Sequence, residues 1–351
     1  MDTRRNAADL TDEQRDAFLE ALIRLEQRRV PEAPVGFSVY DQFVALHGAI
    51  MAVRVPEQAE TINMGHWNIG FCPWHREYLR RFERALQREV PGVTIPYWDW
   101  ADDVASLRDL FSERFMGTLV RGEPAPVRAG FFAHDAPQGP ERPGWWPPDA
   151  EGFRIAAPLR ELRFSNAPDV ERREATLHRG STGESWPPTP AQMEALMRLD
   201  LEIPDVHPFW PFWLTLEQGS RIAPRTHNAG HRFIGGHMAG AFSPNDPIFW
   251  LHHANVDRLW AGWQNTILAT RGGTHEDHYP PPDDIDPWSG DPIPPGHGLN
   301  DAMWPWVGDE PGYVSESVTP EIAALLPDYG QEPARRVRDV LSILDMDYEY
   351  A

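Results

Sequence analysis

A single cysteine, Cys72, in a chain of 351 residues excludes an internal disulfide, so no sulfur pair staples this fold and a reducing compartment suits it. Positive charge is also scarce. Thirty-two basic residues stand against 53 acidic ones, for a formal net charge of −21, and a chain of that sign is repelled by phosphate. Nucleic acid and anionic membrane surfaces are thereby excluded as expected partners. Long apolar runs are missing too: no stretch approaches the length of a membrane span. The opening "MDTRRNAADLTDEQRDAF" has two arginines with no apolar segment behind them, so neither a Sec nor a twin-arginine signal is read there. The expected location is cytoplasmic, export alongside a signal-bearing partner aside. No repeat of fixed period and no low-complexity linker divides the chain, which points to one domain over residues 1–351 without a C-terminal lid domain.

What is present is the composition of a soluble globular protein with a sizeable core: 41% apolar and 24% charged residues. Proline and tryptophan are plentiful, at 36 and 15. Proline clusters in "APQGPERPGWWPPD", "ESWPPTP" and "YPPPDDIDPWSGDPIPPGHG", which read as ordered loops or lids. Between them lie helical patterns. One runs from about Thr11 to Arg29, opened by the cap-like "LTDEQ". A second runs from Ser38 to Val53, where Tyr40, Phe43, Val44, Ile50 and Met51 share a face with His47. A third begins at Pro73, with His75, Leu79, Phe82 and Leu86 on one stripe, and ends at Pro91-Gly92. Residues from about Ala101 to Pro224 read as irregular, apart from a short helix at "PTPAQMEALMRLD". Then "RTHNAGHRFIGGH" reads as a short helix stopped by Gly235-Gly236, and "PNDPIFWLHHANVDRLWAGWQNTIL" as a long one. The fold class is therefore mainly α, a central four-helix bundle with long proline-rich loops and little β structure.

Histidines concentrate on these helices. His227 and His231 are spaced i,i+4, which places two imidazoles on one helical face, although that spacing arises by chance in many helices. His66 and His75 read as a loop ligand followed by a helix ligand. The total carries more weight than any pair. Six or seven core-facing imidazoles without acidic partners are costly to bury unless something accepts their lone pairs, and a pair of metal ions does. Pure nitrogen sets suit copper or catalytic zinc, whereas carboxylate sets suit magnesium, manganese or di-iron. Two facing sets of three imidazoles would suit dioxygen bridging two coppers; spacing alone leaves zinc open.

The runs "FCPWHREYLRRFERALQ", "IPYWDW", "HNAGHRFIGGHM" and "SPNDPIFWLHHANVDRLWAGWQ" resemble the two copper-binding regions of the tyrosinase family of type 3 copper proteins, bacterial members above all. The terminal "DMDYEY" is similar to the Tyr-x-Tyr that ends the catalytic core in that family. The resemblance implies that His47, His66 and His75 bind one copper and His227, His231 and His253 the other, with dioxygen as co-substrate and small phenols as substrates. It implies o-hydroxylation of monophenols and oxidation of o-diphenols to o-quinones. The narrower alternatives are a catechol or o-aminophenol oxidase, and the remoter one is a haemocyanin-like oxygen carrier. Glu217 and Asn228 match the residues that hold a water to take the phenol proton. Arg232 matches a substrate-orienting position, and Ala241 a gate position where a small side chain leaves the entrance wide. A small copper-delivery caddie protein is a candidate partner. Cys72 reads as a packing residue, Asp257 as an acceptor behind His253 or a salt-bridge partner, and His134, His178, His207, His237, His275, His278 and His297 as loop residues, solvent-facing or hydrogen-bonded.

Adjacent residues on a helix point about 100° apart, so His252 and His253 are not expected to serve one ion equally. The apolar face of Phe249, Val256, Trp260, Trp263 and Ile267 lies between them and leans towards His252, whereas the family resemblance assigns the metal to His253.

Overall fold

The computed structural model describes all residues except 32, 34–35, 120, 134–152, 157–158, 160–175, 181–187, 199–202 and 220–225. Among the described residues helices dominate: α1 (Asp12–Gln27), α2 (Val39–Ala49), α3 (Phe71–Glu89), α4 (Val104–Leu110), α5 (Pro190–Met197), α6 (Phe209–Gln218), α7 (His227–Ile234), α8 (Ile248–Arg271) and α9 (Pro320–Ala323). Strands are two or three residues long. The longest, β1 (Asp2–Arg4), pairs in parallel with a last strand at Tyr348–Tyr350.

Local chemistry sets the helix starts. Thr11 and Gln14 form a reciprocal capping box at the head of α1, and Ser38 and Asp41 form another at α2, so each first turn has its free N–H groups partly satisfied. α2 stops at Ala49, four residues short of the expected Val53, because Val53 leaves the helix to pair with Ile62 and Ser315. α3 begins two residues earlier than expected, at Phe71, with Pro73 inside its first turn, where its missing N–H costs nothing. Gly235 and Gly236 end α7 with φ of 62° and 54°, a left-handed pair that side chains resist.

The expectation of an irregular chain from Ala101 to Pro224 is corrected at two places. Asp103 caps the short α4, and "FWPFWLTLEQ" forms α6. Pro211 sits in the first turn of α6, the one place a helix tolerates it. The first two proline clusters fall largely, and His134 entirely, outside the described residues.

α3 packs along α1 on one side and α8 on the other, and α7 lies against α6 and α8. α2, α3, α7 and α8 carry histidine into the middle, within a core of buried aromatics such as Trp74, Tyr78, Phe249 and Trp250. Phe82 and Trp250 stack with centroids 3.4 Å apart and rings 3° from parallel, joining α3 to α8.

Candidate metal centre

Two groups of histidine nitrogens converge in that core: His47, His66 and His75, and beside them His227, His231, His252 and His253, each group with its donor atoms within 4.8 Å of one another. The rings of His75 and His253 stack across the boundary at 4.3 Å, so the groups face each other.

Backbone carbonyls aim the rings. His47 Nδ1 donates to Ala241 O at 2.6 Å and His75 Nδ1 to Phe71 O at 2.9 Å, while His227 Nδ1 reaches Glu217 O at 3.3 Å and His231 Nδ1 reaches Met238 O at 2.7 Å. With the proton fixed on Nδ1, each Nε2 presents a lone pair. The Nε2 atoms of His227, His231 and His253 then form a triangle with edges of 2.9, 3.3 and 3.3 Å. Lone pairs that close repel unless a cation lies among them. Imidazole nitrogens bound ~2.0–2.1 Å from one ion at near-tetrahedral angles lie ~3.3–3.4 Å apart, close to the two longer edges of the triangle. In the first group His47 Nε2, His75 Nε2 and His66 Nδ1 are buried without a hydrogen-bond partner. Both groups therefore fit a metal ion, and an all-nitrogen set suits copper.

His252 differs from its neighbour. Its Nδ1 accepts the indole N–H of Trp100 at 3.0 Å, so the ring's proton sits on Nε2, which is buried without a hydrogen-bond partner. Neither nitrogen then has a lone pair to offer. Periodicity leaned towards His252, but the tautomer favours His253. Gly230 makes room for the His252 ring: a Cβ there would lie 2.3 Å from His252 Cε1.

Burial keeps the imidazoles neutral. It pushes His47 down to about 3 and His231 to about 4, and His66, His75, His227 and His253 well below the ordinary value, with neighbouring imidazoles adding to the effect. Neutral rings are what metal ligation needs.

A cavity of about 710 Å³ opens on the centre, lined by His47, His66, His227 and His231 together with Glu217, Asn228, Arg232 and Ala241. All the site residues expected from sequence except His75 and His253 thus line one space, and those two lie directly behind it. Glu217 is 1% exposed. Burial pushes its carboxyl up to about 8, against the opposing pull of the Trp67 N–H, the Trp213 indole and the Gln218 amide. Trp67 N donates to Oε1 and Trp213 Nε1 to Oε2, each at 2.7 Å. Asn228 donates to Gln218 Oε1 at 2.8 Å, and the Gln218 amide lies near enough to Glu217 to lower its carboxyl, although Gln218 Nε2 makes no hydrogen bond of good geometry. Ala241 contributes its carbonyl to His47 as well as its small side chain, and Arg232 is exposed at the rim.

Three residues escaped the sequence reading. Gln218 is one. His297, expected as a solvent-facing or hydrogen-bonded loop residue, is fully buried and hydrogen-bonded in a role not foreseen: its Nδ1 accepts from Gly70 N at 3.1 Å and its Nε2 donates to Asn63 O at 3.0 Å, clasping the segment that carries His66. Trp67 is the third, on the cavity wall. Their partners lie up to 234 residues away, and only the "GHG" of His297 hints at a tight turn. His178 and His237 are buried too and follow the hydrogen-bonded alternative: His178 N donates to His237 Nδ1 at 2.9 Å. Asp257 does not reach His253: it accepts from Arg4, Arg76, Tyr348 and Tyr350 instead.

Residues 37–266 match the family model Tyrosinase, described as the common central domain of tyrosinase. The chain is 33% identical to grixazone synthase of Streptomyces griseus, over 74% of this chain and 83% of that protein. It is 32% identical to a tyrosinase of Streptomyces glaucescens, over 89% and 94%. Among solved structures, a polyphenol oxidase from Thermothelomyces thermophila superposes with a TM-score of 0.60 at 22% identity, covering 100% of this chain and 89% of that one. A functional unit of Octopus hemocyanin superposes at 0.53 and 18% identity, covering 100% and 68%, which shows a shared fold.

Proposed function

Since the chain belongs to the tyrosinase family of copper oxidases, we propose that it hydroxylates monophenols at the ortho position and oxidises o-diphenols to o-quinones with dioxygen. In this reading His47, His66 and His75 hold one copper, and His227, His231 and His253 the other. The carrying observation is the juxtaposition of two three-imidazole groups with a buried carboxylate at the wall of one cavity. Two coppers held there would supply dioxygen uptake and the two-electron oxidation.

The chain's own residues manage the phenol. A phenol with a pKa of about 10 must lose its proton before its oxygen can approach a cation. Each Glu217 oxygen accepts one N–H and keeps a lone pair, so the carboxylate can still take that proton directly or through a water. With cations held by the two histidine groups, this carboxylate would be more acidic than burial alone makes it. Gln218 and Asn228 extend the acceptor and donor line along the wall. Ala241 leaves the entrance open to bulkier phenols, and Arg232 at the rim can orient an anionic substituent.

A second reading, a diphenol or o-aminophenol oxidase with little hydroxylation, is favoured by one observation: Asn228 is engaged by Gln218 rather than paired with Glu217. A catechol is easier to deprotonate and does not need that pair. Initial rates on a monophenol and on its catechol, with metal content measured on the same sample, decide the matter. A robust monophenol rate without added catechol supports the first reading. Turnover of catechol alone supports the second, and zinc without phenol turnover removes both.

A further inference from the structure

At the mouth of the cavity stands Trp67, 67% exposed, the most exposed large hydrophobic side chain among the described residues. An indole left in water is unfavourable, and this one is held there deliberately. Its backbone has φ of 62°, left-handed and rare for a bulky residue. Three anchors keep that conformation. Glu217 Oε1 accepts the Trp67 N–H at 2.7 Å, Asn63 Oδ1 accepts the N–H groups of Gly65 at 3.1 Å and His66 at 2.9 Å, and His297 ties Asn63 O to Gly70 N. A strained, multiply anchored backbone presenting an aromatic ring to solvent beside the metal-facing histidines is a preorganised surface for something flat.

We propose that Trp67 is a specificity-determining residue, the aromatic wall against which the enzyme seats phenols carrying a second flat apolar ring opposite the reacting hydroxyl. The inference rests on the phenol-oxidase reading. A phenol whose oxygen is near His66 and His227 has its far end directed outwards, where the lining runs through Trp67, Met51 and the small residues Ala239, Gly240 and Ala241. The backbone that carries the indole is anchored, and at Ala239, Gly240 and Ala241 the lining has nothing larger than a methyl, with Met51 and Met238 beside them. A single-ring phenol leaves most of that width empty; a biaryl phenol places its outer ring over the indole. Aromatic pairing of this kind is worth about three- to tenfold in affinity.

The variants are Trp67→Gly, which deletes the ring and suits the left-handed backbone, and Trp67→Phe, which keeps an aromatic face. Each retains the N–H that Glu217 accepts. KM and kcat are measured for catechol and 4-phenylcatechol, and the methyl ether of 4-phenylphenol, which has no hydroxyl to oxidise, is titrated into the copper-loaded protein by calorimetry. Trp67→Gly should raise KM for 4-phenylcatechol about tenfold more than KM for catechol and weaken the methyl ether about tenfold, with Trp67→Phe restoring most of both. Equal effects on the two catechols, or a Phe variant no better than Gly, would overturn the proposal. If the wild type oxidises neither catechol, the phenol-oxidase reading fails by itself, and the calorimetric comparison still decides whether Trp67 binds a second ring. If Trp67→Gly loses copper or folds poorly, the wild type against Trp67→Phe in the same calorimetry decides it.

Discussion

At the residue scale, hydrogen bonding separates two histidines that sequence periodicity confuses. The Trp100 indole spends the Nδ1 lone pair of His252, whereas His253 completes the nitrogen triangle. His253→Ala should therefore lose one copper equivalent, and His252→Ala should keep both while becoming less stable, as measured by metal analysis and thermal unfolding; the reverse copper result would reassign the ligand. The residues between Asn228 and Glu217 invite a second substitution. Gln218→Ala removes the amide that holds Asn228 and lies beside Glu217. If that line serves proton removal, the monophenol rate should fall about tenfold relative to the catechol rate, and an equal fall in both would mark Gln218 as structural only. The histidine pattern was legible because helical spacing exposes it, but Gln218 was not. Its meaning depends on α6 turning back towards α7, which no local spacing records.

At the scale of elements, close approaches between helices decide what each position tolerates. α7 meets α8 at Gly230, where the His252 ring fills the space a side chain would need. Gly230→Ala should cost about 1–3 kcal/mol through displacement of that ring, read as a lower urea midpoint with an unchanged slope. The junction of α1 and α2 buries two carboxyls on one hydroxyl: Ser38 Oγ lies 2.9 Å from Glu26 Oε2 and 2.8 Å from Asp41 Oδ2. A hydroxyl has one hydrogen, so a proton stays with the pair. Burial raises Asp41 to about 7 against the opposing Ser38 hydrogen bonds, and burial together with the Asp41 charge raises Glu26 well above its usual range. Folded values above the unfolded ones, roughly 4, give stability that is complete below about pH 4 and drains away as pH rises through about 7. Glu26→Gln keeps the shape and removes the Glu26 share of that drain, so its thermal midpoint relative to wild type should be higher at pH 8 than at pH 5. Helices with apolar stripes were legible as elements, together with the caps at Thr11 and Ser38. α6 was not, since Pro211 and a crowd of aromatics hide a helix that only tertiary packing stabilises.

At the scale of the whole molecule, the two ends of the chain close on one buried carboxylate. Asp257 accepts from Arg76 Nε at 2.5 Å, Arg4 Nη1 at 3.2 Å, Tyr348 OH at 2.5 Å and Tyr350 OH at 2.6 Å, with both arginines fully buried. All 32 basic residues of the chain are arginine, the cation whose planar fork suits such sites. Asp257→Asn leaves the buried Arg76 without its carboxylate, while Arg4 keeps its pair with Glu83, and should cost about 3–5 kcal/mol, measured by denaturant unfolding. Burial alone would raise this carboxyl, but Arg76, Arg4 and the tyrosine hydroxyls outweigh it and hold it below the ordinary value. Its contribution is therefore complete above about pH 4 and is lost as pH falls further, so the variant should lose part of the wild type's acid sensitivity. The Tyr-x-Tyr was readable as a motif, yet its partner 91 residues upstream was not. That closure has a consequence in time. Synthesis runs from the N-terminus at roughly 5–20 residues per second, so Arg4, Arg76 and Asp257 all emerge well before Tyr348. The helices can assemble early, but the parallel strand pair and the last hydroxyls on Asp257 can form only when residues 348–350 are free of the ribosome. A nascent chain halted between Asp257 and Tyr348 keeps an unfinished charged seam at its centre and should be more readily degraded than one that includes residues 348–350.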